Sequence, residues 1–481
     1  MPGQGLTMKV LHVGWGLKPW WSGGYIEYLM GLFDFQTKMG YDTSYFCAGR
    51  YYGGFKKPTL IKWRMGKIKV YEAFNTPFMD NGGGFLLKPG LDLSNAECET
   101  IFREALNEIK PDIVHIQHLM GLPLSLVNII KDEYGLPIVM TIHDYYLMCP
   151  TISLFDRESG NCPAGRSGHK CGDCMERNGL RINYRKVGTY AEATSYGFYK
   201  LCRKAGRLRK AFTAQRDPMR YPLSIPDNDY FEKRRLLNRE SLLKIDALVS
   251  PSKKTAKIIS DFAGSTVNIS IVPYSLSHVD GIKPEMIEAI SLPIKFVVLG
   301  GCANHLKGAN LISETILSLN NDGYKDSFQI YIYGDIDPEF KNNVPTDVNV
   351  FFRGPYKTTS LNGILSGMHV GIVPSVWEEV YGIVGIELLA KGIPVIGNLR
   401  GGITDYVANG ETGWINRSSS ADELKDIIKN IINDPGQILQ LNRKILSGRR
   451  SLITSMEDHF KIMDGIYAHT ITESSGKKHN P

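Results

Sequence analysis

At 481 residues the chain exceeds what one hydrophobic core usually supports, so two domains are expected. Its 43% hydrophobic and 22% charged content is ordinary for a globular protein and excludes a disordered or low-complexity chain. No apolar run approaches the ~18 residues of a membrane span, and a net charge of +7 is too small and dispersed to point to nucleic acid.

The N-terminus lacks a signal-peptide pattern, which predicts a cytoplasmic protein, and the residues before Met8 read as a short leader or an alternative start. A strand (KVLHV, 9–13), a glycine-rich turn, a helix over 24–39 and a second strand (TSYFCAG, 43–49) follow. In the turn, Gly23 and Gly24 directly precede the helix, where a missing Cβ lets backbone approach a phosphate or sugar; a plain tight turn is the other reading. Gly14 and Gly16 begin a dinucleotide fingerprint, but Pro19 takes its third glycine position, and GxxxxGK[ST] occurs nowhere. Both facts argue against a nicotinamide dehydrogenase and a P-loop NTPase.

PDIVHIQH (111–118) and LPIVMTIHD (136–144) read as further buried strands. His143 ends the second, where an imidazole can hydrogen-bond a ligand hydroxyl or a developing charge; the alternative is a structural His143 with Asp144 as a helix cap. Four of the eight cysteines, Cys149, Cys162, Cys171 and Cys174, come next. The Cys171-x2-Cys174 pair with the other two fits a tetrahedral thiolate site for structural zinc that would pin the loop after His143. Unbridged thiols and disulfides are the alternatives, and disulfides suit a reducing cytoplasm least. Residues 196–212, YGFYKLCRKAGRLRKAF, carry six basic residues and no acid with aromatics interleaved. They read as a solvated basic helix, or as one that rests on an anionic membrane surface.

ALVSPS (247–252) and NISIVPY (268–274) close the first half, and a second cycle of strands runs through IKFVVLGG (294–301), FQIYIYGD (328–335), NVFFRG (349–354), HVGIVPS (369–375) and IPVIG (393–397). The expected domains are 1–284, with an insert over about 149–245, then 285–455, then a C-terminal helix and tail over 456–481, frayed after Ser474. Within 374–407, PSVWEEVYGIVGIELLAKGIPVIGNLRGGITDYV, Glu379 falls in the loop after a strand and Glu387 about one turn into the next helix. The helix N-terminus between them offers unpaired N–H groups to a diphosphate, and a carboxylate on either side can grip sugar or ribose hydroxyls.

With AKGIPVI, GGITDYV and ETGW, this arrangement resembles the retaining glycosyltransferases of the GT-B type, whose family-4 members carry Glu-x7-Glu here. The resemblance implies an α/β fold of two Rossmann-like domains facing a central cleft, the first on the acceptor side and the second holding the donor. It places Glu379 at the donor sugar and Glu387 on the ribose, with Glu378 as a competing register for the first role. It sets Lys307, after the turn at Gly300 and Gly301, on the donor diphosphate, and His143 at the donor sugar. Gly23, Gly24, Arg353, Tyr381, Gly382 and Ile383 complete the implied donor site, and His118 is a candidate for the acceptor side. Many members carry an arginine six residues before the lysine; Gly301 stands there, so Lys307 acts alone or another cation such as Arg353 assists.

The implied reaction is transfer from a UDP- or GDP-linked sugar to a hydroxyl of a glycan or lipid-linked acceptor, with no metal required for catalysis. Cell-surface polysaccharide synthesis is the expected setting, with no nucleic-acid partner and with peripheral contact at the inner membrane face. An epimerase or phosphorylase of the same fold, or a noncatalytic nucleotide-sugar-binding subunit, is the alternative.

Overall fold

The computed structural model describes residues 7–52, 54–55, 57–76, 90–163, 167–178, 185–187, 190–191, 195, 227–264 and 267–477. The basic stretch 196–212, with its membrane reading, lies outside them. Among the described residues no helix is long and apolar enough to cross a membrane. The chain divides into two units: Met1–Ser250 with Lys257–Ile271 and Phe460–Pro481, and Pro251–Ala256 with Val272–His459.

In the first unit, β1 (Lys9–Trp15), β2 (Asp42–Ala48), β3 (Thr59–Met65), β4 (Ile68–Phe74), β5 (Ile113–Ile116), β6 (Ile138–Thr141), β7 (Ala247–Ser250) and β8 (Ile269–Ile271) form one sheet in the order β8-β7-β6-β5-β1-β2-β4-β3. Neighbours are parallel except β3 and β4, an antiparallel pair that the sequence reading does not mark. The reason is local: β3 is an edge strand that carries Lys62 and Arg64 toward solvent, so it lacks the continuous apolar run of a buried strand. Helix α1 (Gly24–Lys38) buries Ile26, Leu29, Leu32 and Phe33 along one stripe. Helix α2 (Ala96–Ile109) is started by Asn95, whose side chain accepts from the Cys98 N–H, and buries Phe102, Ala105, Leu106 and Ile109. A shorter helix, α3, spans Cys171–Asn178.

In the second unit, β9 (Ile294–Leu299), β10 (Phe328–Tyr333), β11 (Val350–Gly354), β12 (Val370–Val373), β13 (Val395–Asn398) and β14 (Gly413–Asn416) form an all-parallel sheet in the order β11-β10-β9-β12-β13-β14. Its core joins Phe296, Val298, Ile330 and Ile332 of the sheet to Ile312 and Ile316 of α4 (Ala309–Asn321), with α5 (Ile383–Lys391) on the chain between β12 and β13, and to Leu424 and Ile428 of α6 (Ala421–Asn433). The last helix, α7 (Met456–Lys477), continues past Ser474, where the sequence suggests fraying. From Phe460 on it belongs to the first unit, where Phe460 packs on Phe35 and Tyr41 and Tyr467 is fully buried.

Among its parallel strands each sheet has one place where the strand order reverses. In the first it lies between β1 and β5, in the second between β9 and β12. Loops leaving the carboxyl ends of such adjacent parallel strands diverge and open a crevice, which is where open α/β sheets take ligands.

Candidate active site

In the second unit, β9 runs into Gly300 and Gly301, with φ of +79° and +74°. A Cβ at Gly301 would sit 2.1 Å from the Asp335 carbonyl oxygen, so both backbone and space exclude a side chain. A single turn, His305–Lys307, follows and is capped by the Asn304 side chain. Lys307 Nζ donates to Glu379 Oε1 at 2.5 Å, and Ser375 Oγ, just past β12, donates to the same oxygen at 2.8 Å. Glu379 is only 8% exposed, so its charge relies on these two donors. Glu378 is engaged elsewhere: its carboxylate accepts from the Gly401 N–H at 2.7 Å and lies near Arg400. The geometry thus brings Glu379, not Glu378, onto Lys307.

Gly382, at φ +76°, turns the loop into α5, with Ile383 as the first helical residue. The Tyr406 hydroxyl donates to the Gly382 carbonyl at 2.8 Å, and its ring would overlap any Cβ at Gly385. Tyr381 is buried edge-on between Tyr274 and Tyr406, and burial raises its ionisation above the usual phenol range. Glu387 projects from the second turn of α5. Its Oε1 lies 2.6 Å from His278 Nε2, while its Oε2 is buried without a hydrogen-bond partner. An orphaned carboxylate oxygen is costly, and a ligand hydroxyl would satisfy it. Tyr356, bonded to the Gly300 backbone, is close enough for Glu387 to add to the upward push that burial gives its phenol.

The sequence reading misses His278 in this role, because nothing in its neighbourhood of the chain announces a distant carboxylate. Arg353 stands apart from the Lys307–Glu379 pair: its guanidinium lies over the rings of Phe351 and Tyr331, at 5.3 and 5.5 Å.

The crevice of the first unit is different in kind. Gly23 (φ +122°) caps α1, and a Cβ there would meet nothing within 4 Å, so backbone conformation rather than space calls for glycine; Gly24 opens the helix. His143 Nε2 lies 2.7 Å from Gln117 Oε1, with the Tyr25 ring edge-on at 4.8 Å. His118 accepts the Met120 N–H on Nδ1, which leaves Nε2–H to donate to Asp144 Oδ2 at 2.7 Å. Asp144 also accepts the Tyr146 N–H at 2.8 Å, so it closes a local turn. His115 is fully buried.

Cys149, Cys162, Cys171 and Cys174 line one small cavity together with Asp156 and Arg235, and none is in a disulfide. Burial, then the Cys149 thiol, pushes Cys171 up to about 12; burial, then Asp156, does the same to Cys174. Among the described residues no three His, Cys, Asp or Glu side chains are grouped as a metal ion's ligands.

Solved structures share this architecture over nearly the whole chain. Sucrose-phosphate synthase from Thermosynechococcus elongatus is similar at a TM-score of 0.60 and 15% identity, with 97% of this chain and 100% of that one covered. Anabaena Alr3699/HepE, in complex with UDP and glucose, is similar at 0.58 and 11% identity, covering 95% and 99%. The fold is therefore GT-B, built on two Rossmann-like units. More particularly, residues 293–434 match the family Glycosyl transferases group 1, and this segment contains Gly300, Lys307, Glu379 and Glu387. A D-inositol 3-phosphate glycosyltransferase of Corynebacterium aurimucosum is 23% identical over 229 residues, 44% of this chain and 54% of that protein. The chain thus spans about half the length of this curated relative.

Proposed function

We infer that the protein is a retaining glycosyltransferase that moves a sugar from a nucleotide-diphosphate donor to a hydroxyl of a glycan or lipid-linked acceptor in cell-surface polysaccharide synthesis. The observation that carries this reading is the second-unit crevice, where a paired Lys307 and Glu379 adjoin a helix N-terminus and a buried Glu387 with one unpartnered oxygen. Glu387 Oε2 is assigned to a ribose hydroxyl. Lys307 and the N–H groups opening α5 balance the charge that builds on the departing diphosphate, which makes a metal unnecessary in this scheme. Ser375 and Lys307 orient Glu379 toward sugar hydroxyls.

With Glu379 engaged in this way, no carboxylate is assigned as a nucleophile. In the same-face reaction the bond from the anomeric carbon to the diphosphate oxygen breaks as the acceptor oxygen bonds to that carbon. The acceptor proton passes to the leaving diphosphate oxygen. The UDP and glucose held by the Anabaena neighbour favour a uridine donor. Thermal unfolding with UDP, GDP or no nucleotide tests the reading. A ligand at ~100 times its Kd adds ~2.7 kcal/mol, a shift of several degrees. UDP alone should give it; no shift with either nucleotide would overturn the donor site.

A further inference from the structure

Glu387 sits on a helix that gives it no route to water. Gly385, Ile386, Leu388, Leu389 and Ala390 of α5 are buried around it, and Glu387 itself is 4% exposed. A helix buried on all sides has no solvated face toward which a carboxylate can turn. Two lysines that could balance its charge are committed to other acids. Lys391, one turn further along α5, pairs with Glu285 at 2.8 Å, and Lys307 pairs with Glu379 at 2.5 Å. What meets Glu387 is the imidazole of His278, 2.6 Å from Oε1. An ionised carboxylate only accepts, so the hydrogen between them belongs to His278 Nε2. The other oxygen, Oε2, is buried with no hydrogen-bond partner.

His278 is itself anchored. It lies in the short turn Ser277–Asp280, where Val279 is buried and its N–H donates to the Leu276 carbonyl at 2.8 Å. Asp280 Oδ2 accepts the Met456 N–H at 3.2 Å. Just beyond the turn, Asn362 Nδ2 donates to the Gly281 carbonyl at 3.0 Å and Arg449 Nη2 to the Ile282 carbonyl at 3.1 Å. These bonds tie the turn to three other segments of the second unit, so the imidazole stays where Oε1 meets it.

A carboxylate with both oxygens free can take the two neighbouring hydroxyls of a ribose, one on each oxygen. In Glu387 the two oxygens are unequal. Oε1 already carries a short, charge-assisted bond, and an oxygen that accepts one such bond is a weaker acceptor for a second. We propose that His278 is a positioning residue that commits Glu387 Oε1 to the protein, so that Glu387 holds the donor's ribose through Oε2 alone, by a single hydroxyl. The ribose as occupant rests on the function inferred above. His278 touches no reacting atom; it decides which oxygen faces the ligand, and thereby how many hydroxyls carry the affinity.

The test is titration calorimetry of the full chain with UDP, 2′-deoxy-UDP and 3′-deoxy-UDP. Loss of the hydroxyl that meets Oε2 strands a buried charge, so one analogue is expected to bind roughly 10- to 100-fold more weakly than UDP and the other nearly as well as UDP. In His278→Leu both oxygens are open to the ligand, and the ratio between the two analogues should fall toward one. His278→Gln, whose amide reaches as far as the imidazole Nε2, should restore the ratio. If His278→Leu does not fold, His278→Asn serves instead, its amide being too short to reach Oε1. A comparable penalty for both analogues in the unaltered protein, or a ratio unchanged in His278→Leu or His278→Asn, would overturn the proposal. The failures are distinct: no binding of UDP itself would overturn the donor site and this inference with it, whereas UDP binding with equal penalties would overturn this inference alone.

Discussion

The two crevices arise from the same topological device, and they treat polar groups in opposite ways. In the first unit, neutral imidazoles and amides are each given a partner, down to the hydroxyl of Tyr467. In the second, the groups are charged, and Glu387 keeps one buried oxygen without a partner. A satisfied neutral network holds its members still, whereas an unsatisfied carboxylate is stabilised only when a ligand supplies the missing donor. The comparison teaches that the reversal of strand order determines where a site forms and the side chains determine whether it is complete before ligand arrives.

The sharpest way to break that contrast is to remove the charges of the second crevice. Lys307→Ala, Glu379→Ala and Glu387→Ala are each expected to lower sugar transfer by roughly 10²–10³-fold in a folded protein, measured as nucleotide release with acceptor present. Near-normal turnover in all three would dissolve the assignment.

Restoring an arginine at Gly301 is expected to hurt rather than help. Its positive φ and the neighbouring Asp335 carbonyl should make Gly301→Arg less stable by about 1–3 kcal/mol, read as a lower midpoint in urea unfolding. An unchanged midpoint with improved transfer would mean that the turn can open for a second cation.

Acid should expose the neutral network of the first unit. His12 is depressed from the usual 6.5 to about 4, so the unfolded chain binds the proton more readily. The contribution is complete above pH 6.5 and is lost as pH falls toward 4. His12→Asn should flatten that limb of the stability profile; an identical limb would assign it to other groups, among them His459, which burial also takes to about 4.

The smallest effect is expected at Arg353, which is exposed and rests on two aromatic rings. Arg353→Ala should cost about 0.5–1 kcal/mol of stability and leave the UDP-induced shift in place. Loss of that shift would bring Arg353 into the donor site after all.

Much of this molecule is legible in the chain. Buried parallel strands such as IKFVVL and VGIV are continuous apolar runs, because helices cover both faces, and Glu379 and Glu387 are fixed relative to each other by a short loop and one helical turn. The edge strand Thr59–Met65 was missed, since its exposed Lys62 and Arg64 break the continuous apolar run that marks the buried strands and leave only a short alternation from Ile61 to Met65. Choosing Glu379 over Glu378 as the partner of Lys307 took the structure, because both lie in the same loop and only the Gly401 N–H, contributed from 22 residues beyond Glu379, draws Glu378 away.

The sequence by itself determined the α/β class, the strand ends where ligand chemistry can gather, and the two glutamates, since these depend on contacts within a few residues or on local periodicity. Tertiary structure alone decided that His278 holds Glu387, that Asp335 forbids a side chain at Gly301, and that Gln117 joins His12, His115 and His143 under Tyr467. The physical reason is distance along the chain: most of these contacts, such as Gln117 with His143 at 26 positions and His115 with Tyr467 at 352, join residues too far apart to leave a periodic trace in sequence, and only the packed fold brings their donors and acceptors within 3 Å or so.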